Sequence, residues 1–258
     1  MWHITKILPV TSFTFGTYNV DIKDSIISFT YRVEFKFGIV KTFTDTLFLP
    51  DVQPEMWEKV PKAVLEPTLQ ALLLMIGINY WQAFPTKNMH INGFSLTREQ
   101  ARFWDSLYLY GLGEFFYLMD IDFHDLIAFP YDDARVESAP ARFKRPKRAL
   151  LLNGAGKDSI LSAEILKASG VPFDFFAFAP TPAHERIGKL VGATTINVSR
   201  RRDPWLDVIL QSAYPSVSTF TFIATLLAEL HGYNEIVFSN ERSADFGNFD
   251  YRGLPVNH

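Results

Sequence analysis

The chain of 258 residues contains no cysteine. That excludes a disulfide scaffold, Cys-ligated zinc or iron–sulfur sites, and a catalytic or persulfide-carrying thiol. It fits a reducing compartment. Long apolar runs are missing too. The best one, Ala71 to Ile78, meets Asn79 and then Gln82, well short of the roughly 18–20 residues a membrane span needs. The N-terminal MWHITKILPV offers no apolar signal core and no small-residue cleavage site, so a cytoplasmic protein without a membrane partner is expected. Neither sign of charge dominates: 25 Lys and Arg face 28 Asp and Glu, a net charge of −3. Chains that wrap nucleic acid are normally basic, so no nucleic-acid partner is expected. There is no internal repeat and no low-complexity tract, and the sequence says nothing about oligomeric state.

What is abundant is core material. Apolar residues make up 48% and aromatics 15%, with 24 Phe, which excludes global disorder. At about 100–200 residues per domain the length allows one large domain or two small ones. Composition shifts at ARVESAPARFKRPKR, residues 134–148. Two prolines and few large apolar residues there suggest a connector. The expected division is an α+β domain over 1–140, a basic linker over 141–148 and a second domain over 149–258. The cluster of Arg142, Lys144, Arg145, Lys147 and Arg148 is either a solvated connector or an attractor for a polyanion.

In the first part, period-2 alternation predicts strands over 12–18, 26–37 and 42–48, the second carrying Phe29, Tyr31, Val33, Phe35 and Phe37, with a turn at Gly38. From Lys62 to Tyr80 the apolar spacing becomes i, i+3/i+4 and predicts a buried helix. Thr97 and Gln100 predict a capping box opening a second helix through Tyr110, and Gly111 and Gly113 interrupt it. The second part alternates strand and helix: strands over 149–152, 173–179, 194–198 and 235–239, helices over 159–168, 182–191, 204–211 and 218–230. That alternation implies a parallel sheet covered on both faces. Ligands of such sheets sit at the carboxyl ends of the strands, here the loops 153–159, 179–183, 199–203 and 239–250.

The first of these loops is Asn153-Gly154-Ala155-Gly156-Lys157-Asp158-Ser159. Two glycines permit a close backbone approach to a ligand. Successive N–H groups and the start of a helix favour an anion, with phosphate or pyrophosphate the expected guest. The Walker A and Rossmann glycine patterns both fail at this spacing. A plain turn with Asp158 as helix cap is the simpler alternative. The loop resembles the PP-loop of ATP pyrophosphatases, Ser-Gly-Gly-x-Asp-Ser, with Lys157, Asp158 and Ser159 in register and Asn153 and Ala155 replacing its Ser and one Gly. The resemblance implies a Rossmann-like, adenine nucleotide α-hydrolase-like fold for 149–258. It implies that the loop backbone and Ser159 hold the β,γ-phosphates of ATP, that Asp158 organises the loop or a Mg2+ ion, and that adenine lies near Ala179.

The last loop begins Ser239-Asn240-Glu241-Arg242-Ser243-Ala244-Asp245-Phe246-Gly247-Asn248. It is either an ordinary polar surface loop or a site. In the second case Arg242 could pair bidentately with a carboxylate or phosphate, and Glu241 could act as base or metal ligand. Together with the glycine turn and the closing Gly253-Leu254-Pro255-Val256-Asn257-His258, this loop resembles the UDP-N-acetyl-α-D-muramoyl-L-alanyl-L-glutamate epimerase family. The segments 73–83 and 107–115 are similar to that family as well. The family continues past the Val-Asn-His segment, so the sequence is expected to be C-terminally truncated.

The resemblance implies ATP- and Mg2+-dependent inversion of the terminal L-Glu of a UDP-linked muramoyl dipeptide, through an acyl adenylate, in cell-wall synthesis. Lys157 and Arg242 would stabilise phosphate charge, Glu241 or His258 would carry the proton, and Asn240 would line the nucleotide site. The alternatives are another PP-loop adenylating enzyme (an amide ligase or a tRNA-modifying enzyme) or a non-catalytic nucleotide-binding module.

Three further stretches carry chemistry-bearing side chains. Asp120 to Asp125 places three carboxylates and His124 together, as a polar turn or a cation site. Arg200-Arg201-Arg202 ends in a solvated loop or touches nucleotide or UDP phosphate. His184 reads as a helix cap. Trp57, Trp81, Trp104 and Trp205 are expected to pack.

Overall fold

The computed structural model describes residues 9–136, 144–209, 215–240 and 246–256. Strands β1 (Val10–Asp21), β2 (Ile26–Phe35) and β3 (Val40–Phe48) form an antiparallel meander. Alternation sets its faces. Phe13, Phe15, Phe29, Tyr31 and Val33 point to one side and are fully buried. Phe37 has the parity of that series but not its fate. The strand stops at Phe35, and Phe37 sits at φ +66° in the turn, 90% exposed. Short helix α1 (Pro54–Lys59) leads to α2 (Lys62–Ala83), whose residues 72–83 are all buried.

The helix α2 packs on the aromatic face of the sheet. Gly77 makes this approach possible: a Cβ there would lie 2.6 Å from the Phe15 ring and 2.8 Å from Tyr31. The Tyr31 hydroxyl donates to the Leu73 carbonyl at 2.9 Å, and the Tyr108 hydroxyl to that of Leu74 at 2.6 Å. Among the described residues α2 is one helix long and apolar enough to cross a membrane. It lies in the core between the sheet and a later helix, which is the usual setting for a helix apolar on all sides. The short β4 (Met89–Ile91), absent from the sequence reading, pairs parallel to β1. The capping box at Thr97 is present and opens α3 (Arg98–Gly111); α4 (Gly113–Leu118) follows after Leu112.

The second part supplies β5 (Ala149–Leu152), α5 (Lys157–Ala168), β6 (Phe173–Phe178), α6 (Pro182–Val191), β7 (Thr195–Arg201), α7 (Pro204–Ile209), α8 (Ser216–His231) and β8 (Glu235–Val237). A hairpin of β9 (Phe249–Tyr251) and β10 (Leu254–Val256) packs on α3 and α4. The parallel sheet anticipated for this part is present as β7-β6-β5-β8.

One eight-stranded mixed sheet runs through both parts, in the order β4-β1-β2-β3-β7-β6-β5-β8. Strand β3 pairs antiparallel with residues 199–201, which lengthens β7 beyond its expected end at 198. A single core of buried residues reaches from Phe13 to Leu254. A second, smaller cluster lies under α5 and α6 on the other side of the parallel strands and includes Leu151, Phe175, Ala163 and Ile187.

The seam between β3 and β7 is ionic. Asp45 is fully buried and takes the Arg200 guanidinium at 2.8–3.1 Å. The Tyr80 hydroxyl donates to the same carboxylate at 2.8 Å and accepts the Asp203 N–H at 3.1 Å. Burial, then the Asp45 charge, pushes the Tyr80 phenol far up. Arg200 is therefore committed inside the protein, while Arg201 and Arg202 stay at the surface with partners of their own. Arg201 lies over the Phe48 ring at 5.3 Å, and Arg202 pairs with Asp207 at 2.5 Å.

Candidate functional site

In the parallel block the chain passes from β5 to β6 on one side and reaches β8 on the other. The strand order reverses between β5 and β8. Open parallel sheets bind ligands at such a crevice, at the carboxyl ends of the strands. The glycine turn lies at this place, directly after β5.

Its geometry is built by two side chains. Asn153 is buried; its Oδ1 accepts the Ala155 N–H at 3.0 Å and its Nδ2 donates to the His184 carbonyl at 3.3 Å. This local turn bends the chain back on itself, and Ala155 takes φ +58°. Ser159 is also buried, and its Oγ accepts the Gly154 N–H at 2.9 Å. Counted back from Asp158-Ser159, the serine of the six-residue PP-loop pattern falls at Gly154, not at Asn153. Asn153 instead anchors the turn from below.

The N–H groups of Gly154 and Ala155 are thus used within the turn. Those of Gly156, Lys157 and Asp158 make no bond to the described protein. They open the twelve-residue α5, where unpaired donors and the helix dipole favour an anion. Gly156 is extended, and a Cβ there would meet nothing within 4 Å. Lys157 is exposed beside them and Asp158 half-buried. Three donors without a partner among the described residues, one exposed cation and open space can together take an anion such as a polyphosphate. Asp158 is a lone carboxylate. No group of three or more His, Cys, Asp or Glu able to hold a metal occurs among the described residues. A Mg2+ ion here would take phosphate oxygens and water as its other ligands.

Ala179 follows β6 at the same edge, exposed, with φ +49° and its N–H donating to the Val198 carbonyl at 2.7 Å. Asn240 follows β8, also exposed. The Ser239 hydroxyl shares a 2.8 Å hydrogen bond with Ser162 of α5, tying the β8 exit to the helix behind the turn. The fold therefore brings Asn153 to Ser159, Ala179 and Asn240 to one sheet edge. Glu241, Arg242 and His258 lie outside the described residues.

The remaining candidates have other partners. In the basic cluster, Arg145 pairs with Glu229 and donates to the Tyr233 carbonyl at 3.1 Å. Arg148 pairs with Asp174 and lies 4.5 Å over the Tyr233 ring. These two arginines brace the sheet instead of attracting a polyanion. Asp120 and Asp122 face Arg252 at 3.0 and 3.6 Å, and His124 Nδ1 lies 2.6 Å from Asp122. The stretch is a polar turn held by the β9–β10 hairpin. His184 caps α6, its Nδ1 accepting the Thr181 N–H at 3.0 Å. Trp57, Trp81 and Trp104 are buried, but Trp205 is 57% exposed, with Lys41 5.1 Å above its ring.

Comparison with known proteins agrees with the resemblance. The family model described as the MurL N-terminal domain matches residues 5–258. Three curated relatives carry the name UDP-N-acetyl-alpha-D-muramoyl-L-alanyl-L-glutamate epimerase. The protein from Xanthomonas oryzae pv. oryzae is 33% identical over 199 residues, covering 75% of this chain and 44% of its own length. Those from a Micromonospora strain and from Salinispora tropica are 28% and 27% identical, each covering 96% of this chain and 56% and 54% of their own lengths. The chain spans about half the length of these relatives. No solved structure matches it.

Proposed function

We propose, for a chain that belongs to the MurL N-terminal domain family, that it supplies the nucleotide-binding part of an ATP-dependent epimerase. The substrate would be UDP-MurNAc-L-Ala-L-Glu, its terminal L-Glu inverted to D-Glu in cytoplasmic peptidoglycan precursor synthesis. The observation that carries the reading is the trio of N–H groups at Gly156 to Asp158, which have no partner among the described residues, at the point where the strand order reverses. The PP-loop character of 149–258 is part of the same proposal.

The chemistry explains why a nucleotide would be consumed. A free carboxylate acidifies its α-hydrogen poorly, because a second negative charge must develop beside the first. Attack of the substrate carboxylate on the α-phosphorus of ATP, with pyrophosphate leaving, removes that charge. A base then takes the α-proton, reprotonation on the other face inverts the centre, and water releases AMP.

In this scheme the N–H groups of 156–158 and Lys157 hold the phosphate oxygens as charge shifts to the leaving pyrophosphate. The Ser159 hydroxyl keeps Gly154 in place through its lone pair and has its own proton to donate. Asp158 would help hold Mg2+, which would offset phosphate charge. Ala179 would border adenine and Asn240 the nucleotide. Arg242 would add charge stabilisation, and Glu241 or His258 would act as the base.

Incubation of the full-length protein with ATP, Mg2+ and UDP-MurNAc-L-Ala-L-Glu in D2O tests the reading. Deuterium at the glutamate α-carbon with AMP release is expected. Pyrophosphate release onto an amine or tRNA acceptor without solvent exchange would point to another adenylating enzyme. ATP binding without turnover would leave a nucleotide-binding module. Equal turnover by wild type, Asp158→Ala and Ser159→Ala would remove the turn from the mechanism.

A further inference from the structure

We infer that the chain carries a second binding site, for a neutral pyranose, in the cavity of about 560 Å3 on the outer face of β4, β1 and β2. This inference goes beyond the epimerase reading and does not rest on it. Five strand-to-strand steps separate β1 from β5 in the sheet, roughly 24 Å at about 4.8 Å per step. The cavity is therefore not an extension of the glycine turn. Its volume lies within the range of about 300–1,000 Å3 typical of small-molecule sites.

The lining explains the chemistry. Alternation sends Phe13 and Phe15 to the core, so Ser12 and Thr14 face the opposite side of β1. Both line the cavity and both are only 6% exposed. Neither hydroxyl forms a hydrogen bond with the described protein. Both hydroxyls are open to the cavity, where two together on a concave wall can donate to and accept from a ligand. His90, opposite Thr14 on β4, and Asn92 extend this row, their side chains likewise without a described partner.

Charge is balanced rather than basic. Arg32 lines the wall with Glu34 2.5 Å from one guanidinium nitrogen, so the pair carries no net charge. Tyr131 closes one side as a ring, steadied by Arg98 at 5.1 Å from its centroid, and Arg98 is itself held by Asp133 at 2.7 Å. Hydroxyls, an amide, an imidazole and a guanidinium–carboxylate pair can each donate and accept, as the hydroxyls of a sugar require. A flat aromatic wall suits the C–H face of its ring. A free sugar and the sugar of a nucleotide-sugar share this chemistry.

The test uses N-acetylglucosamine, UDP-N-acetylglucosamine and UDP as probes on the whole chain, read by saturation-transfer NMR and calorimetry. Both sugar probes should bind, with saturation strongest on the pyranose protons. Thr14→Val, which keeps shape and β-propensity, should weaken both by about tenfold, the scale of one lost hydrogen bond. Tyr131→Ala in its exposed loop provides a second readout and should weaken both as well. Unchanged thermal unfolding will show that each variant is folded. Ser159→Ala should leave sugar binding unchanged. Sugar binding with free N-acetylglucosamine as tight as UDP-N-acetylglucosamine would identify a free-sugar site, and tighter binding of the latter a nucleotide-sugar site. No binding of either sugar, or binding of UDP as tight as UDP-N-acetylglucosamine with Thr14→Val and Tyr131→Ala neutral, would overturn the inference.

Discussion

Removing the charge of Asp45 while keeping its shape, as Asp45→Asn, strikes the seam that joins the two parts of the sheet. Asp45 is fully buried and the Arg200 side chain only 4% exposed. Three guanidinium contacts of 2.8–3.1 Å and the Tyr80 hydroxyl converge on the one carboxylate. The amide keeps one acceptor oxygen but takes the Asp45 charge away from the Arg200 guanidinium in a buried site. Breaking one side of such a buried pair costs about 3–5 kcal/mol. At roughly 2–4 °C per kcal/mol for a chain of this size, Tm should fall by about 6–20 °C. Replacing both partners, Asp45→Leu with Arg200→Met, should recover most of the loss, because two apolar groups leave no charge uncompensated. Chemical denaturation of wild type, both singles and the double gives the coupling. A loss under about 1 kcal/mol for Asp45→Asn, the scale of an exposed pair, would refute the account. So would a double variant as unstable as the sum of its singles.

Gly77→Ala should destabilise the protein by about 1–3 kcal/mol despite the better helix propensity of alanine, because a Cβ there overlaps the Phe15 and Tyr31 rings; an unchanged denaturation midpoint would show that α2 can slide. Ala155→Gly should be neutral or stabilise by up to about 1 kcal/mol, since φ +58° strains alanine and suits glycine; a clear loss in Tm would contradict the turn geometry. Burial, then the nearby Arg148 charge, holds the His231 imidazole below its ordinary 6.5. The unfolded chain therefore takes up a proton that the folded state refuses, so this group costs nothing above that value and destabilises as pH falls through it. His231→Gln should gain stability relative to wild type between about pH 7.5 and pH 5; parallel stability–pH curves would count against it.

Local chemistry made much of this fold legible. The period-2 aromatics of β1 to β3, the capping box at Thr97 and the strand–helix alternation after residue 149 each depend on neighbours in sequence. What stayed hidden depends on distant partners. Nothing near Ser199 to Arg201 signals a strand, because the pairing comes from Thr46 to Phe48. Arg200 read as a surface cation because its counterion lies 155 positions away. Met89 to Ile91 is too short to announce itself beside β1. At the candidate site the glycine turn was readable from its residues, but the part played by Asn153 was not, since its bond to His184 crosses from β5 to α6. The cavity over β1 is not legible in the sequence, because Ser12 and Thr14 look like any outward strand positions until the walls beside them are in place.

The most direct measurement follows the backbone amides of the 15N-labelled chain while Mg·ATP is added. If the turn after β5 grips phosphate, the resonances of Gly156, Lys157 and Asp158 should move first and furthest, and the same titration of Ser159→Ala should need markedly more nucleotide. Shifts confined to other strands, or none at these three amides, would contradict the account.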